Sequence, residues 1–310
     1  MASQKFRQLL VALTIGSGLP GAASAEAQPE PIDPPLRAET APPTLSQRAD
    51  LAEANAAIRA KDYARAESIL AELARSFPED PRLLLLRGEV LLALSRPDEA
   101  LPWLERAAAI DPTGKRAHFQ LAQALQARGD RAGALAAYAK EIELNDDLEV
   151  RNMARLNLVV LLQQGGDWAQ AAAELERLLG GDPAGLAAYG DPARLYGDLA
   201  SLYLEAAQFD KASGALERGL EHGFRSAEHF YGLGARLSGR GDLAGAIAAL
   251  ERALEIDPGL AEAERSLGAA LDEAGREQEA ARHLRRYLEL KPAAPDAVKV
   301  RDRLREIEGR

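Results

Sequence analysis

From Ala246 the apolar positions run Ala246, Ile247, Leu250, Ala253, Leu254 and Ile256, which follows the turns of a helix and not the alternation of a strand. Upstream, Phe230, Tyr231, Leu233, Ala235 and Leu237 are also apolar at helical spacing, so Ala227–Leu260 is expected to hold two helices. Gly241-Asp242 separates them: glycine tolerates the left-handed backbone that closes a helix, and aspartate accepts from the free N–H groups that open the next. Pro258 cannot continue a helix interior, so the second helix should end near Ile256. The next 34 residues, Ala261–Ala294, repeat this punctuation. Gly234 is answered by Gly268, Gly241 by Gly275, Ala246 by Ala280, Leu250 by Leu284 and Pro258 by Pro292. A fixed period of this size marks a repeat architecture.

The period can be followed through seven units: 47–80, 81–114, 115–148, 152–185, 193–226, 227–260 and 261–294. Small residues recur in phase where two antiparallel helices would cross closely, at Ala54, Gly88, Ala122, Ala200, Gly234 and Gly268. The unit resembles a tetratricopeptide repeat, whose pattern has a small residue at position 8, Gly at 15, Ala at 20, an aromatic or Leu at 24, Ala at 27 and Pro at 32. Some units depart from it. The fourth has Val159 at position 8, and the fifth has Ala207 at 15 and Phe224 at 32. Two insertions, Glu149–Arg151 and Leu186–Pro192, interrupt the phase. Three extra residues add nearly one helical turn, whereas Gly190-Asp191-Pro192 reads as a loop before a capped helix. The resemblance implies an all-α fold, a right-handed superhelical solenoid of antiparallel helix pairs. Residues 295–310 then supply a capping helix with Ala297, Val300, Leu304 and Ile307 on one face and charges elsewhere.

The N-terminus is organised differently. Lys5 and Arg7, a short apolar run to Leu19 and Ala23-Ser24-Ala25 fit an export signal over residues 1–25, with cleavage before Glu26. The run is too short for a comfortable membrane span, and an uncleaved anchor is the alternative. Residues 26–46 hold Pro29, Pro31, Pro34, Pro35, Pro42 and Pro43 with few large apolar side chains, the composition of a disordered linker. The expected location is therefore periplasmic or secreted, with no integral membrane span after signal cleavage. The chain has no cysteine, which excludes disulfides and a lipidated cysteine. Its net charge of −10, deepened by two when Lys5 and Arg7 are removed, makes nucleic acid and anionic membranes poor partners.

Catalytic and metal motifs are missing. The four histidines, His118, His222, His229 and His283, do not cluster at ligand spacing. Gly232-Leu233-Gly234 begins like a dinucleotide fingerprint, but Leu237 stands where its third glycine belongs. No cofactor and no enzyme activity are expected. Specificity is then left to the concave groove, which in the family is lined by positions 2, 5, 6, 9, 12 and 13 of each first helix. Carried onto this sequence, the resemblance nominates Arg82, Arg116, Phe119, Gln120, Gln123 and Asn157 as the partner-binding groove. The wall turns acidic toward the C-terminus, at Asp198, Glu205, Glu228, Glu262, Asp272 and Glu273. Amides and arginines can bond the main chain or a carboxylate of an extended peptide, while a merely solvated wall is the plain alternative. The expected function is an exported, non-catalytic scaffold for a protein or peptide partner in envelope assembly or secretion. A self-associating structural protein is the rival, a monomer the favoured state.

Overall fold

The computed structural model describes residues 49–114, 116–181 and 189–309. The export signal, the proline-rich linker and positions 186–188 of the second insertion lie outside the described residues. Among those described there are fifteen helices and no strand. They are α1 (Ala49–Arg59), α2 (Tyr63–Ser76), α3 (Pro81–Ala93), α4 (Pro97–Ile110), α5 (Ala117–Arg128), α6 (Arg131–Leu144), α7 (Leu148–Gln164) and α8 (Trp168–Leu179). Beyond the second insertion come α9 (Pro192–Glu205), α10 (Phe209–Glu221), α11 (Ala227–Gly239), α12 (Leu243–Ile256), α13 (Ala261–Glu273), α14 (Glu277–Leu290) and α15 (Ala297–Glu308). The described residues form two compact units that divide between residues 157 and 158, inside α7.

In the N-terminal unit α1 packs on α2, α3 on α4 and α5 on α6, and the second helices α2 and α4 also meet the following first helices α3 and α5. The first helices α3 and α5 touch directly. The C-terminal unit repeats this scheme through α9–α10, α11–α12 and α13–α14, with α9 against α11 and α11 against α13. The helix α7 absorbs Glu149–Arg151 by starting at Leu148, so this insertion lengthens a helix and makes no loop.

The turn between paired helices has one backbone solution. Lys61, Ser95, Gly129, Gly166, Ala207, Gly241 and Gly275 all have φ between +56° and +87°. These are the seven positions that close the first helices, and three of them are not glycine. A residue with a Cβ is strained there by about 1–2 kcal/mol, so the packing of the pair imposes the turn on Ala207. Aspartates then cap several second helices: Asp62, Asp130 and Asp242 accept from Arg65 N, Gly133 N and Gly245 N at 3.2, 2.9 and 3.0 Å.

Close crossing explains the small residues. A Cβ on Gly88, Gly234 or Gly268 would lie 2.3, 2.6 or 2.7 Å from a side-chain atom of Leu104, Leu250 or Leu284, which are buried at the equivalent place in each partner helix. In the fourth pair Val159 takes this place and is itself buried. The divergent fifth pair uses a different fit. Phe224, standing where proline is usual, presses its ring over Gly197, so that a Cβ there would meet Cζ at 2.4 Å. The array ends on α15, which buries Ala297 and Ile307 and ties back through Arg303 to both oxygens of Asp272 at 2.7 Å.

Candidate functional site

The six nominated groove residues lie in the N-terminal unit, but they do not act alike. Arg82, in the first turn of α3, is exposed, and its guanidinium has no partner among the described residues. Gln123 of α5 is half-buried, and its side chain makes no hydrogen bond among the described residues. Arg116 immediately precedes α5 at φ 70°, with its guanidinium carbon 5.7 Å from the Phe119 ring centroid and its Nε buried without a partner. The other three correct the expectation of a solvated, unpaired wall. Phe119 is 2% exposed and meets Tyr138 edge-on at 5.7 Å, so it belongs to the core. Gln120 is 4% exposed and donates to Glu89 Oε1 at 2.8 Å. Asn157 is half-buried and donates to the carbonyl of Met153, one turn back in its own helix, at 2.9 Å.

The device that holds Arg116 and Gln120 in place was not among the nominated residues. The N-terminal turn of α5 has no side-chain cap of its own, because Arg116 stands at the capping position. Glu141 of α6 does the capping instead. Its Oε1 accepts from Arg116 N at 3.2 Å and its Oε2 from Phe119 N at 2.8 Å, while Asn145 Nδ2 donates to Oε1 at 2.5 Å. Glu141 is 1% exposed. A second carboxylate, Glu89, sits behind Gln120; burial raises its pKa, and the charge of Arg116 and the Gln120 amide work in the opposite direction. The result is a polar network that fixes the start of α5 against α3 and α6.

The tetratricopeptide repeat family matches residues 51–115, 119–189, 198–261 and 231–295, which is most of the chain. This chain is a tetratricopeptide repeat protein. Solved structures agree on the fold. A chain in the structure of Naa15/Naa10 bound to HypK-THB aligns with a TM-score of 0.64 at 17% identity, over 84% of this chain and 39% of that one. The protein described here therefore spans well under half of that relative's length. The C-terminal part of a TPR repeat-containing protein from Cytophaga hutchinsonii aligns with a TM-score of 0.50 at 16% identity, over 80% of this chain and 98% of that one. No curated protein matches the sequence.

In the C-terminal unit of this tetratricopeptide repeat protein three acids of the wall, Glu205, Glu262 and Asp272, are ion-paired, within a repeat or to the next element. Arg236 bonds Glu205 at 2.8 Å, Arg265 bonds Asp296 at 2.8 Å, Lys291 bonds Glu262, and Arg303 holds Asp272. Ser201 and Ser226 engage the two ring nitrogens of His229 at 3.1 and 2.8 Å, bridging α9 to α11. Among the described residues no group of three His, Cys, Asp or Glu side chains could hold a metal ion, and no helix is long and apolar enough to cross a membrane.

Asp198 of this wall stays outside such pairing. Its Oδ2 is buried without a hydrogen-bond partner. Burial pushes its pKa up to about 6, against the weaker pull of Arg194. An acid whose pKa rises on folding favours the protonated folded state; stability falls as pH climbs from about 4 through 6 and is flat above that. Asp198→Asn is therefore expected to stabilise the protein by on the order of 1–2 kcal/mol at pH 7.5 and to change little at pH 4. Thermal melts at the two pH values measure this, and an equal shift at both would remove the burial argument.

Proposed function

We propose that the protein is an exported, non-catalytic scaffold that holds a protein or peptide partner against the first helices of its repeats, in envelope assembly or secretion. The observation that carries this reading is the uneven use of polar groups. In the C-terminal unit Glu205, Glu262 and Asp272 are ion-paired, whereas Arg82 and Gln123 on α3 and α5 have no side-chain partner among the described residues and Arg116 Nε is buried without one. Unpaired cations and amides on successive repeats are the groups that a partner's carboxylates and main chain can use. Membership of the tetratricopeptide repeat family supports a scaffold in preference to an enzyme. Export is supported by Lys5, Arg7 and Ala23-Ser24-Ala25.

A crosslinking pull-down from the envelope fraction of the producing cell tests the scaffold. The joint change Arg82→Ala, Arg116→Ala and Gln123→Ala should lose the captured partner with little change in melting temperature. The difference from wild type should shrink at high salt, because exposed charge contacts are screened. Glu105→Ala with Arg106→Ala, at exposed positions of α4, should leave capture intact. Retention by the triple variant equal to wild type would place recognition elsewhere. Concentration-dependent growth in light scattering without any captured partner would favour the self-associating alternative. For export, intact-mass measurement should find a chain beginning at Glu26; a mass that retains Met1–Ala25 would mean an uncleaved anchor.

A further inference from the structure

The wall formed by α1 and α3 is more apolar than its neighbours. The sequence of α3, PRLLLLRGEVLLA, is mostly aliphatic, and Leu83, Leu84, Val90 and Leu91 take up the core positions. That leaves Leu85 and Leu92 half-buried at the surface, where a helix of a soluble array is normally polar. Leu51 and Ile58 stand 34 residues earlier, at the same places in α1, and are half-buried as well while packing on the core of the first two pairs. The repeat register thus gives α1 and α3 two aliphatic side chains each at equivalent places. Within each helix the two members are seven residues apart, which is two turns or about 10 Å.

Two cations flank these side chains without an ion pair, while one carboxylate, Glu89, lies between Leu85 and Leu92 on the same stripe of α3, half-buried and bonded to the Gln120 amide. Arg59 and Arg82 are exposed and have no carboxylate partner among the described residues, although most arginines there are ion-paired. The nearby acids are committed: Glu53 to Arg65 at 2.6 Å, and Glu89 to the Gln120 amide. The wall also offers few groups to an extended peptide, which must satisfy its main-chain N–H and C=O groups on whatever it binds. On α1 and α3 themselves the only amide is Asn55; on the next first helix Gln120 is engaged with Glu89 and Gln126 with the Tyr138 hydroxyl at 3.2 Å, which leaves Gln123. A helix carries no such demand, since its backbone is bonded internally. Its own apolar stripe recurs at i, i+3, i+4 and i+7, and the i to i+7 step matches the spacing of these side chains within each helix.

We infer that α1 and α3 form a docking strip for an acidic amphipathic helix of the partner, its aliphatic side chains on Leu51, Ile58, Leu85 and Leu92 and its carboxylates at Arg59 and Arg82. This rests on the scaffold reading and names the class of segment that the scaffold takes.

The test uses the full chain and three fluorescein-labelled synthetic 15-residue peptides, read by fluorescence anisotropy. The first places leucines at 3–4 spacing among glutamates and alanines. The second has the same composition with leucines at every other position, and the third replaces the glutamates of the first by lysines. The helical acidic probe should bind at least tenfold tighter than the alternating one, and the lysine probe should not bind. Leu85→Ser with Leu92→Ser should weaken the first probe at least tenfold. Because that variant could also disturb α3, Arg59→Glu with Arg82→Glu, at exposed positions, provides the independent arm and should have an effect of similar size. Equal affinity for the two acidic probes, binding indifferent to both double variants, or failure of the helical probe to bind would each overturn the inference. The scaffold reading is judged separately: if capture in the pull-down still depends on Arg82, Arg116 and Gln123 while the helical probe fails, the scaffold stands and the helix is wrong.

Discussion

Replacing Glu141 with alanine should lower the free energy of unfolding by about 3 kcal/mol, because buried donors left without acceptors each cost about 1–3 kcal/mol. Three donors converge on this one side chain, two of them main-chain N–H groups at the start of α5 and the third the Asn145 amide. The site is sealed, with Glu141 1% exposed and Asn145 6% exposed, so water cannot readily replace the carboxylate. Glutamine keeps one acceptor oxygen in a side chain of the same length, and Glu141→Gln should recover part of the loss. Chemical denaturation of the two variants beside wild type measures both effects. A Glu141→Ala variant within about 0.5 kcal/mol of wild type, the range of an ordinary surface change, would show that α5 does not depend on this cap. The same variant bears on the groove, because Glu141 fixes the backbone of Arg116 through its N–H.

The repeat itself was legible because its signals are local. Helical spacing, a left-handed turn, a capping aspartate and a small residue at the crossing are each decided within one unit, and their period then multiplies the signal. Even the exceptions keep the geometry: Lys61, Ser95 and Ala207 adopt the turn that glycine takes in the other units. The fit of Phe224 on Gly197 was less visible, since it replaces a recurring proline with a contact specific to one repeat. The groove was harder to read for a physical reason. A family position says which way a side chain starts from its helix, and cannot say which neighbour it then meets. Phe119 and Gln120 start from nominated positions and end in the core and on Glu89. Glu141 could have been found from sequence, because Ala134, Ala137, Tyr138 and Glu141 lie on one stripe of α6 and a carboxylate on a core stripe requires donors. Asp198 and the cross-repeat ion pairs depend on distances between helices, which no single helix encodes.

Gly268→Leu should be far more damaging than Arg285→Ala, although the two changes lie in one helix pair. At Gly268 even a Cβ would sit 2.7 Å from Leu284 Cδ2 and 3.3 Å from the carbonyl oxygen of Ala280. The second of these is backbone, so the strain cannot be relieved by turning a side chain alone. Leucine would have to push α13 and α14 apart, at a cost of about 1–3 kcal/mol and at the upper end of that range where backbone must move. Arg285 reaches from α14 to Glu308 of α15 with contacts of 2.9 and 2.6 Å, but both side chains are close to half exposed. An exposed ion pair of that kind contributes about 0–1 kcal/mol, so its removal should shift the melt slightly. Parallel thermal melts of the two variants compare the effects directly. Gly234→Leu, one period earlier, should reproduce the larger loss, since a Cβ there meets Leu250 Cγ at 2.6 Å and Ala246 O at 3.1 Å. Equal shifts for Gly268→Leu and Arg285→Ala would mean that the two helices do not cross at this position, and the register assigned to the repeats would have to be redrawn.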